Sequence, residues 1–280
     1  MEEYCEYTNN KNKKFSKKYD DRLIFDDVSL DIMKGESIAL TGHNGMGKST
    51  LIKILCGLTS ITSGEVIRDK NLKFNYIPEN FSQLNIKAGE YIKLIGEIEG
   101  ISKDDFVKKT NYLYKEFNLE NMINTSMKNL SKGTLQKISV VQALLSKPDI
   151  LLLDEPLSGQ DSDSQKTFIR MVRELIKDGV TVIMSCHELF LIDQLSSRIL
   201  QVKDSKILEI KRTDISSDEY ASMMFYRKEA DKYFVTPNIK GIYDYHENED
   251  YIEFKTKVSE SNRVLTEMIN RGYTLKYFER

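Results

Sequence analysis

The stretch Gly42-His43-Asn44-Gly45-Met46-Gly47-Lys48-Ser49-Thr50 decides the fold of this chain. It follows a short apolar run at 38–40 and precedes a helical pattern of apolar residues at 51–55. The pattern G-x-x-x-x-G-K-S between a strand and a helix is that of a phosphate-binding loop, or P-loop. A glycine-rich turn that binds nothing is the alternative interpretation, and Lys48 and Ser49 in register argue against it. The sequence therefore predicts an α/β fold of the P-loop nucleoside triphosphatase type.

Each part of this stretch has a chemical task in binding a triphosphate. The glycines at 42, 45 and 47 let the backbone curl, so that its N–H groups face phosphate oxygens. The helix that begins near Lys48 adds the positive end of its dipole at the same place. We expect Lys48 to reach the outer phosphates and the Ser49 hydroxyl to take one position on Mg²⁺. All the residues from 42 to 50 are therefore candidate ligands of the nucleotide.

A second motif is an apolar strand that ends in two carboxylates, Ile150-Leu151-Leu152-Leu153-Asp154-Glu155-Pro156. In open α/β sheets, ligands collect at the carboxyl ends of the strands. Asp154 is therefore predicted to hold Mg²⁺ through a water, and Glu155 to orient or deprotonate the attacking water. Taken alone, the two acids would be an ordinary cap where a strand meets a loop. Together with the P-loop they indicate a catalytic pair.

A histidine, His187, follows a second apolar strand in the sequence Met184-Ser185-Cys186-His187-Glu188. A lone histidine is more often a structural residue than a catalytic one. Here its strand is expected to neighbour the acidic strand, which would let the imidazole reach the γ-phosphate. His187 is therefore a third candidate catalytic residue beside Glu155 and Lys48.

The hydrophobic pattern outlines the rest of a large first domain at 1–212. Residues 19–41 read as strands, and 87–147 has the periodicity of three helices, the last of which runs from Ser131 to Lys147. The apolar runs at 150–153 and 180–184 predict buried parallel strands, and an amphipathic pattern between them predicts a helix. Further strands are expected at Val66-Ile67, after a turn, and at 74–77, before a proline.

The character of the sequence changes after about Arg212. A polar stretch leads to strands near 242–245 and 251–256, a helix that ends at Gly272, and a final strand at 273–278. This β-β-α-β order predicts a small accessory α+β domain at 213–280. It contains no catalytic constellation that the sequence reveals.

Composition excludes several classes of protein. A formal net charge of −2 argues against a nucleic-acid partner, because nucleic-acid-binding surfaces are strongly basic. The three widely spaced cysteines indicate reduced thiols and no zinc site. No N-terminal apolar segment resembles a secretory signal, and no apolar run approaches the roughly 20 residues that span a bilayer. We therefore expect a cytoplasmic protein with no direct membrane insertion.

A third motif, Leu130-Ser131-Lys132-Gly133-Thr134, is similar to the LSGGQ signature of ATP-binding cassette (ABC) proteins. With it, the chain from about Tyr19 to Lys206 resembles the nucleotide-binding subunit of an ABC transporter. The resemblance implies an ABC ATPase core with an antiparallel β subdomain and a helical signature subdomain. Read alone, Ser131 would be a plain helix N-cap.

The resemblance also assigns roles along the chain. Tyr19 matches the aromatic residue that stacks on adenine. Glu79 occupies the Q-loop position, as a candidate ligand of both nucleotide and Mg²⁺. Ser131 and Gly133 belong to the signature, and Asp161 to the D-loop. Asp154 and Glu155 form the Walker B pair, and His187 matches the H-loop.

Three positions depart from the commonest family pattern. Glu79 stands where glutamine is usual, and a carboxylate donates a hydrogen bond only when it is protonated. Lys132 replaces a signature residue, and Gln160 lies in the D-loop sequence Ser158-Gly159-Gln160-Asp161. None of the three removes a group that hydrolysis requires, so we expect an active ATPase.

The resemblance further implies partners. Two such subunits, expected to be two copies of this chain, would sandwich two ATP molecules, each bound by the P-loop of one copy and the signature of the other. The helical region at 87–130 would pass the change to a separate integral membrane permease, which places the chain at the inner face of the membrane. The variants Tyr76-Ile77-Pro78-Glu79 and Leu130–Thr134 are familiar among ABC-2-type exporters and favour export. The cargo stays open, because the permease recognises it.

Two other classes are weighed against this interpretation. A non-transport ABC ATPase that acts on ribosomes or nucleic acid usually carries two cassettes or a long coiled-coil insertion, and neither is seen in the sequence. A P-loop GTPase should contain N-K-x-D, whereas the nearest run, Asn10-Lys11-Asn12-Lys13, lacks the aspartate. A small-molecule kinase would not need the signature at 130–134.

Overall fold

A computed structural model describes residues 14–157, 160–186, 189–212, 220–226, 242–247 and 250–279 of the 280-residue chain. The chain divides into two compact units, Met1–Ile210 and Lys211–Arg280. The first unit contains a six-stranded and a three-stranded sheet, the second a four-stranded sheet, and each unit has its own hydrophobic core. Within the described residues, no helix is both long and apolar enough to cross a bilayer.

A six-stranded sheet organises the first unit. Its strands are β3 (Ser37–Thr41), β5 (Phe74–Ile77), β6 (Ile150–Asp154), β7 (Thr181–Ser185), β8 (Arg198–Lys203) and β9 (Lys206–Ile210). Their order across the sheet is β5-β6-β7-β3-β8-β9, and every pair is parallel except β8 with β9. β3, β6 and β7 are fully buried, as their continuous apolar sequences predict. The carboxyl ends of β3 and β6 therefore lie on one edge of the sheet, separated by β7.

Helices connect the parallel strands. α1 (Lys48–Leu55) follows β3, and α5 (Ser162–Lys177) connects β6 with β7, which confirms the predicted β-α-β unit. α6 (Leu189–Leu195) follows β7. In the β6–β7 pair, Asp154 lies directly beside Ser185. Asp154, a candidate metal ligand, is thus paired in register with Ser185, the last residue of β7.

A small antiparallel sheet packs near the P-loop. It contains β1 (Phe15–Tyr19), β2 (Arg22–Val28) and the two-residue β4 (Ser63–Gly64), in the order β2-β1-β4. Phe25 is fully buried in a core that it shares with Leu51 of α1 and Leu152 of β6. The strand predicted at Val66-Ile67 is wrong, because Val66 packs on this core from a loop and pairing with β1 occurs earlier, at β4.

A helical region lies between β5 and β6. It consists of α2 (Ala88–Ile98), α3 (Lys103–Glu116), a short 3-10 helix (Met127–Asn129) and α4 (Lys132–Leu144). Ser131 is the N-cap of α4, and its hydroxyl accepts a hydrogen bond from the N–H of Thr134. α4 ends at Leu144, three residues before the predicted end at Lys147. The three predicted helices are confirmed.

The described residues of the second unit form a four-stranded antiparallel sheet and one helix. Its elements are β10 (Tyr220–Tyr226), β11 (Ile242–Glu247), β12 (Tyr251–Lys257), α7 (Val258–Asn270) and β13 (Thr274–Glu279). The strand order is β11-β12-β10-β13. β10 was not predicted, yet it lies between β12 and β13 and supplies Ala221, Met223 and Phe225 to the core. Its period-two alternation was the available signal.

Candidate functional site

The P-loop at 42–47 is tightly packed where it leaves β3 and enters α1. Gly42 has a φ of 132°, and a Cβ there would come within 2.4 Å of the carbonyl oxygen of Val202. Gly47, the N-cap of α1, has a φ of 111°, and a Cβ would lie 2.6 Å from Ile24 Cγ2. Side chains at these two positions would collide with β8 and β2, so the fold itself requires both glycines.

The loop presents its polar groups at the start of α1. Gly47 has no side chain to cap the first N–H groups of the helix, which suits an anionic ligand at this end. Lys48 is buried, and its ammonium donates a 2.7 Å hydrogen bond to the carbonyl oxygen of Gly42. The lysine therefore curls over its own loop. His43, Asn44, Gly45 and Met46 form the exposed outer part of the loop, and Thr50 lies half-buried in the first turn of α1.

The Asp154 carboxylate is the centre of the buried polar cluster. Ser49 Oγ donates to Asp154 Oδ1 at 2.9 Å, and Ser185 Oγ donates to the same oxygen at 2.6 Å. Tyr76 donates from its hydroxyl to Oδ2 at 3.3 Å. Asp154 is 2% exposed, so these donors replace the water that a carboxylate would otherwise bind. The structure thus brings two of the three predicted metal ligands, Ser49 and Asp154, into direct contact.

The pKa of the Tyr76 hydroxyl is shifted by its surroundings in this cluster. Burial raises the pKa of the Tyr76 hydroxyl, and the nearby charges of Asp154 and Glu79 raise it further. The hydroxyl therefore stays protonated and acts as a donor across the ordinary pH range. Glu79 itself is exposed, two residues after the end of β5, at the sheet edge that carries Asp154.

Glu155 adopts a backbone conformation that is uncommon for its residue type. Its φ is +47°, in the left-handed region. Its N–H donates to both the carbonyl oxygen and the hydroxyl oxygen of Ser185, each at 3.1 Å. Glu155 is half-buried directly after the buried metal-ligand candidate. The backbone of Glu155 is therefore bound to the last residue of β7.

The adenine-side candidate, Tyr19, lies at the end of β1 near α1. Its ring is 43% exposed, and the Lys17 ammonium lies 4.3 Å from the ring centroid. A hydrogen bond with Thr59 and a weaker one with Thr50 lower the pKa of the Tyr19 hydroxyl, against the opposing effect of burial. The hydroxyl group lies 3.5 Å from Thr59 Oγ1. The accessible ring is compatible with the predicted base stacking.

Arg22 was not singled out from the sequence. It is paired with Tyr19 across the β1–β2 hairpin, and its guanidinium donates a 2.7 Å hydrogen bond to the Gly45 carbonyl oxygen. The hairpin is therefore tied to the outer part of the P-loop. The sequence gives no indication of this contact. Arg22 is a charged residue directly after a turn in a strand pattern, and its partner lies 23 positions away.

The signature residues occupy the start of α4. The Ser131 hydroxyl is engaged with Thr134, and Gly133 lies in the first turn. Further along the helix, Gln136 donates to the Pro78 carbonyl oxygen at 3.0 Å, next to Glu79. α4 therefore carries the signature at its first turn and holds the Glu79 loop one turn later.

Asp161 is bound within its own chain. It is the N-cap of α5, accepts hydrogen bonds from the N–H and hydroxyl of Ser164, and forms a 2.7 Å ion pair with Lys137 of α4. The Lys137 ammonium is the main reason that the pKa of Asp161 lies well below its usual range. His187 and the neighbouring D-loop residues Ser158 and Gly159 lie outside the described residues.

The donors at this site fit a magnesium ion better than a metal held by protein alone. Among the described residues, no group of three His, Cys, Asp or Glu side chains could hold a metal ion. Ser49 and Asp154 offer hard oxygen ligands only 2.9 Å apart. Mg²⁺ is commonly held by one or two such protein ligands together with water and substrate phosphates.

A glycine-rich loop, a buried lysine and a serine–aspartate pair at the carboxyl ends of parallel strands define a P-loop nucleoside triphosphatase. Comparison with known proteins then gives the family: the sequence profile described as "ABC transporter" matches residues 25–158. The uncharacterized ABC transporter ATP-binding protein MJ1023 of Methanocaldococcus jannaschii is 33% identical over 192 residues, which cover 68% of this chain and 72% of that protein.

Other relatives agree. The zinc import ATP-binding protein ZnuC of Rickettsia bellii is 33% identical over 189 residues, 66% of this chain and 78% of that protein. Among solved structures, an ATP-binding subunit of an ABC transporter matches with a TM-score of 0.66 and 26% identity, over 71% of this chain and 88% of its own. The dimeric, post-hydrolysis structure of the ATP-binding cassette MJ0796 with ADP and Pi matches with a TM-score of 0.63 and 26% identity. The match covers 72% of this chain and 97% of that chain. The chain belongs to the ATP-binding subunits of ABC transporters and is an ATPase of that family.

Proposed function

We propose that this chain supplies the energy for a transporter whose membrane-spanning permease is a separate protein, and that two copies of it work as a pair at the inner face of the membrane. The contact between Ser49 and Asp154, which are 105 positions apart, carries the ATP-binding part of the proposal, and the similarity to ABC transporter ATP-binding proteins supports the transport part. That contact assembles the groups that bind and cleave ATP.

The proposed roles combine the positions of the described side chains with the resemblance to the ABC family. Lys48 and the N–H groups at the start of α1 bind the phosphates, and Tyr19 stacks on the adenine. Ser49 and Asp154 hold Mg²⁺, with Glu79 as a further ligand at the same sheet edge. When bound, the ion neutralises charge on the phosphate oxygens. Glu155 orients the attacking water and accepts its proton, while His187 contacts the γ-phosphate.

Pairing completes the site. In the proposed dimer, Ser131 and Gly133 bring the N-terminus of α4 from one copy to the γ-phosphate held by the other copy, and Asp161 lies beside that contact. Loss of the γ-phosphate removes the charge between the two helix ends, and the pair opens. The dimeric state of the ATP-binding cassette MJ0796 supports this arrangement.

The partner is tested by purification from membranes. The tagged chain, produced in its own host, is recovered from detergent-solubilised membranes and the co-purifying proteins are identified. A polytopic membrane protein in constant stoichiometry, whose presence changes the ATPase rate, is the expected result. Recovery with ribosomes instead would overturn the transport proposal in favour of a non-transport ABC ATPase.

Export is the direction that we propose. Its support is the resemblance of Tyr76-Ile77-Pro78-Glu79 and Leu130–Thr134 to exporter-type variants. Several relatives carry the name zinc import ATP-binding protein ZnuC, which favours the opposite direction. The cellular zinc content of a strain carrying Glu155→Gln tests the zinc-import alternative: an unchanged content would exclude zinc import, whereas a fall in zinc would overturn export.

A further inference from the structure

Ser185, the last residue of β7, contacts the carboxylate of Asp154 and the backbone of Glu155. It is fully buried and pairs in register with Asp154. Its hydroxyl donates to Asp154 Oδ1 at 2.6 Å and accepts the N–H of Glu155 at 3.1 Å. One hydroxyl group therefore contacts both acidic residues.

The bond to Asp154 restricts how its carboxylate can turn. Ser49 approaches the same oxygen from α1 at 2.9 Å, and Tyr76 reaches the other oxygen only at 3.3 Å. Hydrogen bonds to an ionised acceptor are shorter and roughly twice as strong as neutral ones. Ser185 makes the shortest of the three hydrogen bonds to the Asp154 carboxylate, and unlike Ser49 it is not a predicted ligand of the metal ion.

The bond to Glu155 acts on the backbone. A φ of +47° is costly for a glutamate and persists only where the surroundings hold it. The Glu155 N–H is shared between the hydroxyl and the carbonyl oxygen of Ser185. This fixes the direction in which the glutamate side chain leaves the strand.

We propose that Ser185 is a positioning residue that sets both carboxylates at the end of β6: it orients Asp154 toward the metal ion and fixes Glu155 toward the attacking water. The inference rests on the proposed function of the site. Ser185 touches neither nucleotide nor metal in this proposal and acts only through its two neighbours.

The test compares Ser185→Ala with Ser139→Ala in the full chain. Ser139 is also fully buried, and its hydroxyl has no hydrogen-bond partner among the described residues, so its replacement removes the same atom without these bonds. The affinity for Mn²⁺, measured by electron paramagnetic resonance with ADP present, is expected to fall about 10-fold or more in Ser185→Ala. ADP affinity in EDTA should stay at the wild-type value, and kcat should fall while KM for ATP changes little. Ser139→Ala should match the wild type in all of these.

A rescue variant extends the test. Ser185→Thr keeps the hydroxyl and should retain most of the Mn²⁺ affinity, whereas Ser185→Cys keeps the size but offers a weak donor and should lose it. If Ser185→Ala does not fold, the Mn²⁺ affinities of these two variants are compared instead.

Several results would overturn the positioning role. One is an Mn²⁺ affinity of Ser185→Ala equal to that of Ser139→Ala. Another is an equal loss of ADP affinity with and without metal, because that would indicate general damage. If Ser185→Ala does not fold, equal Mn²⁺ affinities of the Thr and Cys variants have the same meaning. A wild-type chain without metal-dependent ATPase activity would contradict the proposed function itself, a separate outcome.

Discussion

At the scale of single residues, one carboxylate collects donors from three elements. Asp154 receives hydrogen bonds from Ser49 of α1, Tyr76 of β5 and Ser185 of β7. A buried carboxylate is costly unless it is well paired, and the three donors offset that cost. The same donors hold its oxygens next to the P-loop. The three donors that stabilise the buried carboxylate are therefore also the groups that position it for its proposed role.

Replacement of the loop lysine tests the phosphate contact. Lys48→Ala removes the buried ammonium that bonds to the Gly42 carbonyl oxygen, and with it the side-chain cation proposed to meet the outer phosphates. We expect ATP affinity to fall by about 100-fold, since hydrogen bonds to charged groups contribute about 1.5–3 kcal/mol each. Isothermal titration calorimetry without hydrolysis measures the affinity. Lys177→Ala, at the exposed end of α5, is the control, and unchanged ATP affinity in Lys48→Ala would contradict the P-loop assignment.

At the scale of elements, α4 contacts the loops that follow two different strands. Gln136 holds the backbone at Pro78, and Lys137 pairs with Asp161 at the start of α5. These contacts connect the signature helix with the loops that follow β5 and β6. A shift of α4 on contact with a second copy would therefore move both loops.

The Lys137–Asp161 pair gives a stability prediction with a definite pH dependence. Asp161→Asn keeps a good N-cap but removes the charge. Because Asp161 is mostly exposed, we expect a loss of only about 0.5 kcal/mol in the free energy of unfolding. The folded-state pKa is lowered, so this contribution is present above the unfolded pKa of about 3.9 and disappears as the pH falls through the folded value.

Urea unfolding of wild type and Asp161→Asn without nucleotide checks this prediction. The difference between the two should be constant from neutral pH down to about pH 4 and should shrink only below that. A difference that disappears between pH 7 and pH 5 would mean that another group is responsible.

The second unit gives a prediction about its central strand. Phe225 of β10 is fully buried and packs against Phe254 of β12, with 6.1 Å between ring centroids. Phe225→Ala should destabilise this unit by about 3–5 kcal/mol, because it leaves a cavity in a small core. Hydrogen exchange of residues 220–226 should then accelerate, with nucleotide binding by the first unit unchanged. Ile269→Ala, half exposed on α7, is the control, and equal exchange in the two variants would contradict the role of β10.

Sequence reasoning succeeded where a pattern is local. The P-loop, the apolar strands around it and the three helices at 87–147 each show their period within a short window, and the structure contains them. It failed where a contact joins distant residues that belong to no recognised motif. Ser185 lies 31 positions from Asp154, and Tyr76 lies 78 positions from it. The sequence around neither residue indicates its hydrogen bond to Asp154. β10 was missed because apolar residues, Met224 and Tyr226, also stand at its positions outside the core, which weakens the period-two signal.

At the scale of the whole molecule, two copies are expected to close on ATP. Glu155→Gln keeps the shape of the side chain but removes the proton acceptor, so ATP should bind without being cleaved. We expect a stable dimer with ATP and a strongly reduced turnover, and a monomer with ADP. Analytical ultracentrifugation with each nucleotide measures the association. A variant that stays monomeric with ATP and hydrolyses it at the wild-type rate would contradict both the dimer and the role of Glu155.

The strand order has a consequence for the making of the protein. The P-loop strand β3 and the acidic strand β6 are not neighbours, because β7 lies between them and pairs with both. A nascent chain whose synthesis has passed residue 154 but has not reached residue 185 carries both motifs yet lacks the strand that aligns them. The alignment of the two motifs in this sheet therefore requires residues 181–185, which are synthesised after both of them.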